Sequence, residues 1–297
     1  MTIYRGRFAP SPTGPLHFGS LIAAVGSYCE ARSNAGEWLV RMEDLDRPRE
    51  ATGAAAAILL ALEQHGFEWH GPVMRQSERD AAYRAALETL RSRSALFECC
   101  CTRREIADSS IADGGEAVYP GTCRGGLPPG RSARATRVRV DGEPVAFEDR
   151  VMGPMTQDLA REAGDFVVLR ADGLIAYQLA VVVDDAAQGI TDVVRGADLL
   201  ASTARQIHLQ RLLGLPTPRH AHLPAAINAR GEKLSKQTRA APLDAANAAP
   251  SLVAALEFLG QSPPGSLARA SVREVWQWAG ENWKLSRVPK QRTRAVY

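Results

Sequence analysis

No stretch of this 297-residue chain approaches the roughly 20 consecutive apolar residues that a membrane-spanning helix needs. A membrane span is therefore excluded as a reading, although 45% of the residues are apolar, enough for a substantial core. The start lacks the charged, apolar and small-residue regions of a secretion signal, and a cytoplasmic protein is expected. An excess of one charge is also missing. There are 36 basic and 33 acidic residues, a net +3 that by itself argues for no nucleic acid. Cysteine is scarce, five in all: Cys29, Cys99, Cys100, Cys101 and Cys123. An odd count without a secretion signal favours a metal over disulfides. No internal repeat is present. One local absence stands out. Residues 284–297 contain no acid but carry Lys284, Arg287, Lys290, Arg292 and Arg294. Such a tail either neutralises phosphates or is a solvated, partly disordered terminus.

The hydrophobic pattern alternates between two periods. Ile3 to Ala9 reads as a buried strand ending in a Pro-rich turn. Leu21, Ile22, Val25, Tyr28 and Cys29 then fall at helical spacing. Trp38 to Met42 reads as a second strand, residues 51–65 as a helix, and Tyr83, Leu87 and Leu90 as the apolar face of another. Strand, helix, strand, helix is the pattern of a parallel α/β sheet. From Phe97 to Gly130 cysteine, glycine and proline dominate, and strand-like stretches follow at Thr136–Val140 and Val145–Phe147. Sheet character is expected again at Phe166–Leu169 and Leu174–Asp184. A helix through Leu199, Leu200 and Leu209 closes at Gly214, and Ala-rich helices end the chain. Four segments are expected: 1–95 and 166–237 as the halves of one catalytic domain, 96–165 as an insertion, and 238–297 as a short helical extension.

Two short peptides carry the chemistry. Pro10-Ser11-Pro12-Thr13-Gly14-Pro15-Leu16-His17-Phe18-Gly19-Ser20 places small residues at a helix start, where amide N–H groups and the helix dipole favour phosphate. Gly14 and Gly19 admit close backbone approach. His17 can donate a hydrogen bond. Far downstream, Lys233-Leu234-Ser235-Lys236-Gln237 holds two lysines that can stabilise charge building at an α-phosphate. Either peptide alone is weak. In this order they point to nucleotidylyl transfer.

The chain resembles the class I aminoacyl-tRNA synthetases, with His17-Phe18-Gly19-Ser20 as the HIGH element and Lys233–Gln237 as the KMSKS element. Arg7-Phe8-Ala9-Pro10-Ser11-Pro12-Thr13-Gly14, Val40–Asp46 and Val194–Leu200 resemble further blocks of the glutamyl-type enzymes. Ser20 stands where the family has a second histidine, and Gln237 where it has a last serine. The resemblance implies a Rossmann-like parallel sheet, with Pro10, Gly14, His17, Gly19, Ser20, Lys233, Ser235 and Lys236 on ATP. Of these, His17 and Lys236 are catalytic, and Mg²⁺ enters with ATP. It also implies a glutamate pocket of Arg7, Phe8, Ala9, Pro10, Ser11, Glu43, Tyr177 and Arg195. Guanidiniums suit the two carboxylates of glutamate and Glu43 its ammonium. Which arginine takes which carboxylate stays open.

Only 60 residues follow Gln237, too few for the helical anticodon-reading domain expected of a conventional member. The resemblance is to a truncated branch that makes glutamyl-adenylate without tRNA. That branch then esterifies glutamate to queuosine in the anticodon stem-loop of tRNA(Asp). Charging of tRNA(Glu), or a catalytically inactive zinc- and RNA-binding relative, are the other readings. The resemblance further implies one structural zinc on Cys99, Cys101, Tyr119 and Cys123. Cys100, Glu98 and Asp113 are rival fourth ligands. A monomer is expected.

Overall fold

The computed structural model describes residues 3–109, 118–234 and 241–296. The chain opens with strand β1 (Arg5–Phe8), helix α1 (Phe18–Ser33), β2 (Glu37–Met42), α2 (Ala54–Gln64), β3 (Met74–Arg75) and α3 (Asp80–Ser92). It continues through β4 (Leu96–Cys99), α4 (Arg103–Ser109), β5 (Ala135–Val138), β6 (Val145–Asp149), β7 (Gly153–Gln157), α5 (Leu159–Glu162) and β8 (Phe166–Leu169). Then come α6 (Tyr177–Ala187), β9 (Asp192–Gly196), α7 (Ser202–Leu213), β10 (Arg219–Leu223), β11 (Ala225–Ile227), α8 (Ala248–Phe258), α9 (Val272–Asn282) and β12 (Thr293–Ala295).

Strands β1, β2 and β3 pair in parallel, as do β9 with β10 and β10 with β6, and the edge strand β7 pairs antiparallel with β6. The two sheets meet where β1 abuts the start of β9, and the Thr191 N–H donates to the Arg5 carbonyl at 2.9 Å. The fold is thus the α/β class the sequence points to, a Rossmann-like parallel arrangement. The strands of residues 96–165 divide between two sheets. β4 and β5 form an antiparallel sheet with β8, whereas β6 and β7 extend the parallel one.

Helix α1 is capped at its start by His17 and is buried on nearly every side from Leu21 to Ala31. Leu21, Ile22, Val25 and Cys29 are buried in the larger core, together with Trp38, Val40 and Met42 of β2. The same core takes Leu252, Val253 and Leu256 of α8 and Val275 and Ala279 of α9. Each such fully buried Leu or Val side chain stabilises the fold by about 1.5–3 kcal/mol. The C-terminal helices are therefore structural members of the core. The Trp283 indole adds a hydrogen bond to Glu30 Oε2 at 2.7 Å.

Two expectations need correction. Residues 177–187 are helix, where Leu174–Asp184 reads as strand. Leu179, Ala180, Val181 and Val182 are all buried, and an apolar run buried all round carries no period to separate helix from strand. The basic tail is not loose. β12 pairs in parallel with β11, and Val288 is buried. Arg294 donates to the Phe258 carbonyl at the end of α8, with its guanidinium 5.4 Å from the Phe258 ring centre. No described helix is long and apolar enough to cross a membrane.

Candidate active site

The carboxyl ends of β1 and β9, the start of α1 and the segment after β11 surround a cavity of about 860 Å³. Arg7, Phe8, Ala9, Pro10, Ser11, His17, Gly19, Ser20, Glu43, Tyr177, Arg195 and Lys233 all line it. Arg7 and Arg195, 188 positions apart in sequence, converge because β1 and β9 lie side by side. Gly14 does not line the cavity. It is buried in the turn at φ 146°, a conformation that favours glycine. Ser235, Lys236 and Gln237 lie outside the described residues.

At one end, Arg7 reaches Asp185 of α6 through two bonds, Nε to Oδ1 at 3.0 Å and Nη2 to Oδ2 at 3.3 Å. Arg41, wholly buried in β2, stands 2.8 Å from the same carboxylate and 3.5 Å from Glu43. Burial alone would raise the Asp185 carboxyl, but the Arg7 and Arg41 guanidiniums outweigh it and hold it down to about 2. Glu43 is pushed up from the ordinary carboxylate range, chiefly by burial, against the pull of Arg41 and Arg7. Tyr177, the first residue of α6, adds a hydroxyl whose ionisation burial opposes.

On the neighbouring strand, Arg195 of β9 is buried, and its hydrogen bonds go to neutral groups. Its Nε donates to His222 Nε2 at 3.0 Å, Nη1 to Gln206 Oε1 at 2.8 Å, and Nη2 to Thr203 Oγ1 at 2.9 Å and the Leu199 carbonyl at 3.3 Å. Burial, above all, lowers its pKa. A buried cation whose contacts are neutral dipoles is poised for an anionic ligand.

The far end of the cavity is built by the start of α1. His17 Nδ1 accepts from the Ser20 N–H at 3.3 Å, so the ring proton sits on Nε2 and is donated to Ser20 Oγ at 3.2 Å. Ser20 thereby steadies the imidazole. No acid occupies the first turn of α1, leaving its positive end uncompensated by side chains. A Cβ on Gly19 would stand 3.1 Å from both His17 Cε1 and the Leu234 carbonyl. Glycine there lets the helix start and the lysine loop close on each other. Lys233 Nζ reaches Asp198 Oδ2 at 2.5 Å.

The cysteines form a separate small cluster. All five are free thiols, and the sulfurs of Cys99, Cys101 and Cys123 lie within 4.8 Å of one another. Sulfurs about 2.3 Å from a tetrahedral zinc ion lie about 3.8 Å apart. The Cys101–Cys123 separation is 3.7 Å, so the donor set fits such an ion. The Tyr119 hydroxyl accepts from the Cys123 N–H at 2.8 Å and lies 3.6 Å from Cys99 Sγ. Cys100 Sγ is 3.6 Å from Cys123. Glu98 instead accepts from Thr136 Oγ1 at 3.2 Å. Asp113 lies outside the described residues. Cys29 is buried in the core.

Sequence reasoning missed Asp185, Arg41 and Asp198 as parts of the cavity's charge balance. The signal for Asp185 was present: two adjacent aspartates in an otherwise apolar run, which are buried only when paired.

Comparison with known proteins agrees with this geometry. The family described as tRNA synthetases class I (E and Q), catalytic domain, matches residues 4–247. A protein of Aromatoleum aromaticum named Glutamyl-Q tRNA(Asp) synthetase is 62% identical, over 97% of this chain and 91% of its own length. One of Dechloromonas aromatica with the same name is also 62% identical, over 97% and 96%. Among solved structures, glutamate-tRNA synthetase from Elizabethkingia anophelis superposes with a TM-score of 0.82 at 25% identity. That match covers 100% of this chain and 68% of the other.

Proposed function

The chain belongs to the class I tRNA synthetases of the glutamate and glutamine type and is a ligase, and from that premise we propose a two-step reaction. L-Glutamate is first activated by ATP without tRNA. The glutamyl group is then transferred to the cyclopentenediol of queuosine at the wobble position of tRNA(Asp), in the cytoplasm. The name carried by full-length relatives supports the acceptor. The observation that carries the chemistry is the single cavity joining a helix start and Lys233 to two buried arginines and Glu43.

In the first step a glutamate carboxylate oxygen attacks the α-phosphorus of ATP in line. The new P–O bond forms as the bond to pyrophosphate breaks. His17, whose Nε2–H rests on Ser20 Oγ, turns that N–H to the phosphate when ATP binds. Lys233 and Lys236 oppose the charge on the leaving pyrophosphate. Mg²⁺ bound with ATP would neutralise part of that charge. Arg7, Arg195, Tyr177 and Ser11 orient glutamate, and Glu43 receives its ammonium. In the second step a queuosine hydroxyl attacks the acyl carbon and AMP leaves. The adenylate is already activated, so no general base is assigned. The cysteine cluster with Tyr119 would hold zinc as a structural pin.

The test is transfer of labelled glutamate, with ATP, to tRNA(Asp) carrying or lacking queuosine, beside tRNA(Glu). Label confined to queuosine-containing tRNA(Asp) is expected. Label on tRNA(Glu) would replace this reading with conventional charging. Label on none would leave a relative that binds but does not transfer.

A further inference from the structure

Three neighbouring strands place three polar residues in one buried row. Asp149 ends β6, His222 lies in β10 opposite Arg195, and Arg195 lies in β9. Asp149 is 1% exposed and His222 0%. Neither lines the cavity. Asp149 Oδ2 lies 2.6 Å from His222 Nδ1, and His222 Nε2 lies 3.0 Å from Arg195 Nε. A guanidinium N–H only donates, so His222 Nε2 must be a bare acceptor. The ring proton is therefore on Nδ1, and it is donated to Asp149. The other Asp149 oxygen is held by three main-chain N–H groups, those of Met152 at 2.8 Å, Val151 at 3.0 Å and His222 at 3.2 Å. The carboxylate cannot turn without losing them.

We infer that Asp149 and His222 are positioning residues that fix the tautomer facing Arg195 and so aim its guanidinium at the carboxylate of the amino-acid substrate. This rests on the reading that Arg195 binds glutamate. The row does two things that packing alone would not. It supplies an acceptor on the one edge of Arg195 that Gln206 and Thr203 do not hold. It also keeps that acceptor uncharged, so the positive charge of Arg195 stays available to a ligand instead of being cancelled by a direct carboxylate. Burial, ahead of the pull of Asp149, lowers His222 and keeps the imidazole neutral.

Glutamate- and ATP-dependent pyrophosphate exchange separates the possibilities. Asp149→Asn keeps an oxygen for the three main-chain donors but turns an N–H toward His222 Nδ1. The ring proton is then forced to Nε2, against the Arg195 N–H. The KM for glutamate is expected to rise about tenfold or more, with the KM for ATP unchanged. His222→Gln offers a donor and an acceptor from one planar group and is expected to stay close to wild type. Independently of any variant, imidazole ¹⁵N shifts of the wild-type protein are expected to show His222 protonated at Nδ1 only. The inference falls if Asp149→Asn leaves the glutamate KM unchanged or raises both KM values alike. It also falls if His222→Gln is as impaired as Asp149→Asn, or if Nε2 carries the proton. Arg195→Ala distinguishes the underlying reading. An unchanged glutamate KM there would remove Arg195 from the substrate site altogether. An impaired Arg195→Ala beside an unaffected Asp149→Asn would remove only the positioning row.

Discussion

Two stretches of the cavity wall hold the same side chain in opposite electrostatic settings. Arg7 is met by Asp185 at 3.0 Å, and that carboxylate is shared with Arg41. Arg195 donates to an imidazole, an amide, a hydroxyl and a main-chain carbonyl, with Asp185 and Glu43 acting on it without a direct hydrogen bond. The difference teaches what each end is for. Compensating a buried guanidinium on the spot stabilises the empty protein, and it leaves less charge for a substrate. Holding one by neutral dipoles costs stability in the empty protein and keeps its charge for a ligand. On the proposed reading, the Arg7 side serves the fold more and the Arg195 side the substrate more.

The sharpest way to break this contrast is to remove the shared carboxylate. Asp185→Ala leaves Arg7 without its paired carboxylate and Arg41 with only the longer contact to Glu43, and should cost about 3–5 kcal/mol in urea unfolding. A loss below about 1 kcal/mol would mean that Arg7 and Arg41 are solvated in some other way. The opposite end should respond in the opposite manner. Arg195→Met removes hydrogen bonds to neutral partners, so stability should fall by only about 1–2 kcal/mol. The glutamate KM in pyrophosphate exchange should nonetheless rise about a hundredfold while the ATP KM holds. Equal stability losses at Asp185 and Arg195 would erase the distinction.

Acid gives a third test. The Asp185 carboxyl is held near 2 in the folded protein, below the ordinary value of an unfolded aspartate. Its contribution is therefore fully present above about pH 4 and is lost as pH falls through about 2; it amounts to about 2 kcal/mol. Asp185→Asn carries no such carboxylate. The stability curves of wild type and Asp185→Asn should lie apart at neutral pH and converge toward pH 2. Curves that stay parallel down to about pH 2 would deny Asp185 the depressed pKa.

What was legible in the sequence follows from distance along the chain. The first strand, helix and second strand were readable because their periodicities are local and uninterrupted. His17, Gly19, Ser20 and Lys233 could be singled out because each lies in a short contiguous peptide, and all four line the one cavity. Helix α6 was misread because its valines are buried on every side, where helix and strand look alike. The partners that set the electrostatics were invisible for another reason. Asp185 meets Arg7 across 178 positions, and Asp149 meets His222 across 73. No spacing rule connects such residues; the placing of α6 beside β1 joins the first pair, and the parallel pairing of β6 with β10 the second. The tail was half legible. Its charge was plain, but its pairing with β11 depends on a strand far away in sequence.

That tail repeats the contrast between spent and available cations on the surface, and there the expected effects are smallest. Arg294 donates to the Phe258 carbonyl at the negative end of α8 and lies over the Phe258 ring, so its charge is engaged within the fold. Arg292, two residues earlier, is exposed and lines a second cavity of about 490 Å³ that also includes Asp198 and Lys233. That cavity shares its wall with the nucleotide end, which places Arg292 where a phosphate of a bound RNA can be neutralised. Arg294→Ala should therefore lower unfolding stability by about 1 kcal/mol and leave the salt dependence of tRNA binding unchanged. Arg292→Ala should leave stability unchanged, weaken tRNA binding at low salt, and reduce the slope of log affinity against log salt by about 1. Neither substitution should alter pyrophosphate exchange, because neither residue lines the main cavity. If the two arginines exchange effects, or if Arg292→Ala leaves tRNA affinity untouched at low salt, the tail is a clasp for the C-terminal helices and no part of an RNA surface.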